Sequence, residues 1–152
     1  MPPVHTRLAT LQDRNTVAAL FDAYRQFYER APDLALATQF IAARMEKQES
    51  VILLAEDGDK NALGFCQLYP TFCSVEAQPI YVLYDLFVTP QSRKTGAGRA
   101  LLLAAEELAR AHGKVRMDLT TARTNLPAQQ LYASLGWVRD DVFLAYSRRI
   151  AA

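Results

Sequence analysis

The segment Arg93-Lys94-Thr95-Gly96-Ala97-Gly98-Arg99 does most to limit what this chain can fold into. It separates an apolar strand-like run, Tyr81 to Val88, from an apolar helix-like run, Ala100 to His112. A strand that passes through a glycine turn into a helix leaves the first helical N–H groups without intrahelical partners, at the positive end of the helix dipole. Such a junction accommodates an anion. Gly96 and Gly98 let that anion approach the backbone with no Cβ in the way. Arg93, Lys94 and Arg99 surround the turn with positive charge. The turn therefore predicts a phosphorylated ligand.

The remaining elements follow from periodicity and turn residues. Val4 to Ala9 reads as a first strand, and Thr10 starts a helix with Asp13 in a capping-box arrangement. Val17, Leu20, Phe21, Tyr24, Phe27 and Tyr28 recur at helical spacing, carrying that helix to about residue 30. Ala31-Pro32-Asp33 breaks it, and Asp33 caps a second helix through Phe40, Ile41 and Met45. The period then changes: Val51 to Glu56 and Ala62 to Tyr69 form a hairpin about Asp57-Gly58-Asp59. Pro70 to Pro79 reads as an irregular connection, possible extension of the strand included. Ile80 to Val88 is almost wholly apolar, as a central strand buried on both faces should be.

After the turn and its helix, Gly113 ends the helix and Val115 to Thr121 forms a strand parallel to the one before it, through a right-handed crossover. Pro127 and Gly136 bracket a short helix. Trp137-Val138 and Val142 to Ser147 read as closing strands. The order is βααβββαβαββ. It predicts an α/β (α+β) fold in which one mixed, mostly antiparallel sheet of six to seven strands carries helices on both faces. No linker or repeat interrupts residues 1–152, so a single domain is expected.

Net charge is +1, which argues against nucleic acid or an anionic membrane as partner. No apolar run approaches the length of a membrane span, and the N-terminus lacks the apolar stretch of a signal peptide. Cys66 and Cys73 form no CxxC motif and have no neighbouring histidines. They read as small apolar residues in a reducing cytoplasm. His5 and His112 have no ligand partners in the sequence, and no metal site is visible.

Which phosphorylated ligand the turn binds is narrowed by what it lacks. A Walker loop needs Lys and then Ser or Thr after its second glycine, whereas Arg99 and Ala100 follow Gly98. The dinucleotide fingerprint needs a third glycine, also missing. By contrast, Arg93-x-x-Gly96-x-Gly98 after Tyr84-Asp85-Leu86-Phe87-Val88-Thr89-Pro90 resembles the acetyl-CoA signature of the GNAT N-acetyltransferases. Asn125-x-x-Ala128-x-x-x-Tyr132-x-x-x-Gly136-Trp137 resembles that family's later strand–helix block. Element order and length match over essentially the whole chain. Asp85-Leu86-Phe87-Val88 and Gly96-Ala97-Gly98 look most like the polyamine-type and small histone-acetyltransferase-like members.

The resemblance implies an acetyl-CoA-dependent N-acetyltransferase that works by direct transfer in a ternary complex. The cofactor pyrophosphate would lie on Arg93, Lys94, Gly96, Ala97, Gly98 and Arg99. The pantetheine would pair like an extra strand with Leu86, Phe87 and Val88, where a backbone N–H would stabilise the oxyanion. Asn125 would contact the cofactor arm, or else simply cap its helix. Tyr132 matches the family's general-acid tyrosine, and also reads as a core aromatic beside Leu131 and Leu135. Members of the family often associate through late strands, which implies a homodimer built on Val142 to Ser147.

Transfer to an amine also requires that an ammonium lose its proton, from a pKa of about 10. Asp85 is a carboxylate inside an apolar strand, where burial without a partner would be costly. It reads as a catalytic or amine-binding group, or as a structural hydrogen-bonder. Some polyamine-type members carry a glutamate just before this aspartate, where this chain has Tyr84, so a water relay to the base stays open. Asp118 and Glu76 read as structural or solvent-facing. The acceptor region implied by the resemblance includes Tyr24, Phe27, Tyr28, Glu29, Asp33 and Tyr84, whose aromatic faces and carboxylates suit a cationic amine. The acceptor itself, a small-molecule amine or a peptide or protein lysine, stays open. So does the alternative of a non-catalytic acyl-CoA-binding module.

Overall fold

The computed structural model describes residues 3–152. Two compact units divide the chain, one running to Thr120 and the other from Thr121 to Ala152.

In the first unit the strands are β1 (His5–Leu8), β2 (Val51–Glu56), β3 (Ala62–Cys73), β4 (Gln78–Val88) and β5 (Met117–Asp118). They lie side by side in chain order, antiparallel except for the parallel pair β4–β5. The β2–β3 register is set by the turn between them. There Asp57 Oδ1 accepts the N–H groups of Asp59 and Asn61, each at 2.9 Å, and Lys60 takes a left-handed conformation at φ 64°. Gly64 on β3 is required by packing, since a Cβ there would collide with the Phe87 carbonyl oxygen of β4.

Helices α1 (Arg14–Phe27) and α2 (Leu34–Glu46) cover one face. Thr10 does not open α1 directly: a 3-10 turn at Leu11–Asp13 comes first, with the Thr10 N–H donating to Asp13 Oδ2 at 2.8 Å. Arg7 on β1 reaches Asp13 at 2.8 Å and Glu56 at 2.8 Å, and its hydrogen bond to Asp13, with that from Thr10, holds the Asp13 carboxyl down to about 2. Asp33 caps α2 as expected, accepting the Leu36 N–H at 3.1 Å. Buried Asp22 on α1 in turn accepts the Asp33 N–H at 2.9 Å, fixing the link between the helices. Val17, Phe21, Ala37 and Ile41 then pack on Ile52, Leu54, Phe65 and Phe87 of the sheet. Each of the larger side chains, Val, Leu, Ile or Phe, stabilises the fold by about 1.5–3 kcal/mol when fully buried.

The alternate strand residues Leu53, Ala55, Cys66 and Leu68 are buried as well, and period-2 alternation turns them to the other face. Helix α3 (Ala97–Ala111) packs on β1 to β4 through buried Leu101, Leu102, Ala105 and Ala109. It starts three residues earlier than its apolar pattern suggests, because Gly96 takes the left-handed N-cap at φ 91°.

The β3–β4 hairpin runs longer than expected, taking both prolines of the Pro70–Pro79 stretch into its ladder before turning at Ser74–Ala77. A bulge interrupts this ladder: Gln67 pairs with Asp85 but Leu68 with Leu83, which leaves Tyr84 as the extra residue on β4. On its other side, β4 pairs with β5 only at Tyr81 and Val82. From Leu83 to Val88 that edge of β4 has no strand partner among the described residues.

The second unit holds helix α4 (Leu126–Ser134), with Asn125 Oδ1 capping the Ala128 N–H at 3.3 Å. Gly136, at φ 91°, ends it, and the Trp137 N–H returns to the Tyr132 carbonyl at 3.0 Å.

Three expectations are corrected. Among the described residues the sheet has five strands rather than six to seven, and the strand expected over Val115 to Thr121 pairs only at Met117–Asp118. Trp137-Val138 and Val142 to Ser147 are not strands. Alternating apolar residues mark a face that could be buried, but a ladder also needs a partner. Here Asp140 Oδ1 takes the N–H groups of Val142 and Phe143 at 2.8 and 3.2 Å, a local turn that competes with strand pairing.

Candidate active site

Asp85 reaches the α1/α2 face of the sheet next to the bulge and is 5% exposed. Its Oδ2 accepts a 2.7 Å hydrogen bond from Gln67 Nε2, and the Tyr24 hydroxyl of α1 also hydrogen-bonds the carboxylate. Burial pushes the Asp85 carboxyl above the ordinary carboxylate range, and these two donors pull it part of the way back. The apolar strand thus carries a carboxylate whose partners among the described residues are neutral donors.

Aromatic rings line this part of the face. Tyr24 sits 5.2 Å from Tyr28, 6.0 Å from Phe65 and 6.2 Å from Phe87, ring centre to ring centre. Its hydroxyl lies 3.3 Å from the Tyr84 carbonyl oxygen. The bulge sends the exposed Tyr84 ring against Tyr69, at 5.4 Å and 74°. Burial pushes the Tyr69 phenol up to about 12, with nearby Asp85 adding to the rise. The structure therefore brings Tyr24, Tyr84 and Asp85 together and places Tyr28 at the rim. Gln67 and Tyr69 were missed by sequence reasoning. The available signal was period 2 on β3, which puts Phe65, Gln67 and Tyr69 on one face, combined with an amide inside an otherwise apolar run.

At the end of β4 the chain passes through a 3-10 turn at Pro90–Ser92 into the glycine turn. Lys94 is left-handed at φ 64° and Gly96 at φ 91°, two successive reversals that aim the backbone of the turn. The first α3 hydrogen bond runs from the Ala100 N–H to the Gly96 carbonyl at 2.9 Å. The N–H groups of Ala97, Gly98 and Arg99 precede that ladder at the positive helix end. Lys94 and Arg99 are exposed there. Arg93 is held differently: its Nε donates to the Val88 carbonyl at 3.2 Å, and its guanidinium lies over Phe27 at 5.6 Å and Phe87 at 5.9 Å. Leu86 and Val88 are half-buried and Phe87 is buried on the strand leading into the turn.

Such a frame, an unpaired strand edge running into a left-handed glycine and a bare helix start, suits a long ligand with an anionic group at one end. A strand-like arm can take the edge and a phosphate the turn. Sequence and structural relatives agree. The acetyltransferase (GNAT) family model matches residues 17–137. The chain belongs to the GNAT family of acetyltransferases. That family uses acetyl-CoA, and this GNAT chain is accordingly an N-acetyltransferase. An uncharacterized N-acetyltransferase of Bacillus subtilis, YhfO, is 43% identical to it over 98% of this chain and 99% of its own. The crystal structure of a probable acetyltransferase superposes with a TM-score of 0.91 at 35% identity, covering 97% of this chain and 99% of that one. The fold is also that of an aminoglycoside N-acetyltransferase in complex with CoA, with a TM-score of 0.81 at 16% identity over 99% and 97% of the two chains.

In this GNAT chain Glu76, Asp118, His112 and Cys66 take structural roles. Arg116 pairs with Glu76 at 2.7 Å and with Asp118 at 2.8 Å in an exposed cluster. His112 Nδ1 lies 2.6 Å from the Tyr81 hydroxyl. Burial pushes the Cys66 thiol up to about 12, which keeps it an unreactive core group. Asn125 and Tyr132 belong to the second unit. There the Tyr132 ring lies 6.1 Å from Trp137, and Asn125 serves as the α4 cap. Among the described residues, no helix is long and apolar enough to cross a membrane.

Proposed function

We propose that this protein transfers the acetyl group of acetyl-CoA to a primary amine by direct attack in a ternary complex. The observation that carries this reading is the β4 edge from Leu83 to Val88, which has no strand partner among the described residues and leads into the glycine turn. Leu86, Phe87 and Val88 offer backbone groups to a pantetheine arm. Gly96, Ala97, Gly98 and Arg99, with Lys94 and Arg93, receive the pyrophosphate, where a left-handed glycine and three helix-start N–H groups favour negative charge. Asn125, whose Oδ1 caps α4, offers its amide NH2 to the cofactor arm. The family match spans both units, which supports reading residues 1–152 as one acetyltransferase domain.

The bound thioester supplies an activated acetyl group; the chain supplies the proton transfers. Asp85, a carboxylate with a raised proton affinity and only neutral hydrogen-bond partners, takes the proton from the acceptor ammonium. Tyr24, Tyr28 and Tyr84 form the aromatic surroundings of that cation, whether it belongs to a small molecule or to a peptide or protein lysine. A backbone N–H of β4 at the bulge stabilises the developing oxyanion. Tyr132 donates its phenolic proton to the departing thiolate sulfur.

Acetyl-CoA at a hundredfold excess over its Kd should stabilise the protein by about 2.7 kcal/mol, or roughly 5–10 °C in Tm. A melting temperature unchanged at millimolar acetyl-CoA would sink the proposal. Working in the reducing cytoplasm fits two free thiols. We also propose a homodimer, supported by exposed Val142, Phe143, Leu144 and Tyr146. Light scattering should give the dimer mass, and a monomer mass at micromolar concentration rejects this assembly.

A further inference from the structure

We propose that Ser50 and Gln67 are positioning residues that together hold Asp85 as a carboxylate turned toward the acceptor amine. This rests on the reading of Asp85 as the acceptor-side proton acceptor. Gln67 is 0% exposed on β3, where any apolar side chain would be cheaper to bury. Its amide is satisfied at both ends: Oε1 accepts the Ser50 hydroxyl at 2.7 Å, and Nε2 donates to Asp85 Oδ2 at 2.7 Å.

The direction of this chain of hydrogen bonds matters. With Oε1 accepting from Ser50, the end of the amide that faces Asp85 is a donor, and a donor stabilises the ionised carboxylate over the neutral acid. The reversed amide would set oxygen against oxygen. Ser50 is half-buried in the segment between α2 and β2, so the chain runs from the rim of the face to its buried carboxylate. The bulge begins at the Gln67–Asp85 pair, fixing the pair in register while Tyr84 is turned against Tyr69.

The charged and titratable neighbours leave Asp85 without a counter-ion. Tyr24 faces it from α1, and on β3 its charge raises the neutral Tyr69 phenol and Cys66 thiol. Arg44 of α2 pairs with Glu49 at 3.0 Å, and the effects of both fall on Tyr69. Among the described residues, no Lys, Arg or His forms an ion pair with Asp85. The held carboxylate therefore keeps its charge for a cationic ligand. In the step proposed above, one proton leaves the ammonium nitrogen for an Asp85 oxygen, freeing the lone pair for attack and leaving a neutral carboxylic acid that returns its proton to solvent.

The test reads Asp85 directly and needs no turnover. Protein labelled with 13Cγ-aspartate, with Asp85 assigned by the signal lost in Asp85→Asn, is titrated by NMR. In Gln67→Leu the Asp85 midpoint should rise by about one pH unit or more, since a donor to a charged group has been removed. In Ser50→Ala, a change at the half-buried end, it should rise by less in the same direction. A midpoint unmoved, or lowered, in Ser50→Ala and in any folded Gln67 variant overturns the proposal. Failure of acetyl-CoA to shift the melting temperature would instead strike the functional reading, leaving the titration result to stand by itself.

Discussion

Asp85→Asn is expected to lower kcat/KM for acetyl transfer by about 10²–10⁴-fold, the range for loss of a positioned general base. Initial rates of CoA thiol release, with the best amine from an acceptor screen, check this. Asparagine keeps an oxygen that can accept from Gln67 Nε2, so the local structure has no reason to collapse. Stability should move the other way. The folded carboxyl is raised above its unfolded value, so its contribution is present at low pH and is lost as pH rises through the folded value. Above the folded value the ionised group is a cost, and there the Asn variant should melt no lower than the parent. The parent's acidic limb in kcat/KM should lie above the ordinary carboxylate range and vanish in the variant. Activity within a few-fold of the parent would show that Asp85 is only a structural hydrogen-bonder.

Tyr132→Phe should lower kcat by a factor within about 10²–10⁴, since it removes the only acid assigned to the leaving sulfur. The ring, packed 6.1 Å from Trp137, is retained in the variant. The loss should also shrink for thioesters whose thiols are more acidic, because a better leaving group needs less help. A kcat that survives this substitution would return Tyr132 to the role of a core aromatic.

The parts of the site that were legible in the sequence are those where local chemistry leaves little choice. Gly96 is left-handed because a strand that must turn into a helix requires it, and a carboxylate at position 85 of an apolar strand announces itself. Gln67 and Tyr69 give only a faint signal, an amide and a phenol on one face of an apolar run, because polar uncharged residues are ordinary in strands. Their importance depends on pairing with Asp85 and Tyr84 across a bulge, and register is a property of two segments at once. The same nonlocality explains the missing closing strands. Val142, Leu144 and Tyr146 alternate as a strand would, but alternation cannot say which edge a segment finds, and Asp140 binds the backbone nearby. Helix ends were nearer the mark, since caps such as Asp33 and Asn125 act within three residues of their own position.

The half-zipped pairing of β4 and β5 reaches beyond chemistry. A protein whose β4 edge from Leu83 to Val88 has no strand partner among the described residues leaves part of its sheet open, and open edges attract stray strands. Whatever fills this one stabilises the folded form by mass action while shielding a sticky edge. Ligand supply and protein lifetime then become one variable: a cell rich in the filling molecule would accumulate this enzyme, and a depleted cell would lose it first to misassembly and proteolysis.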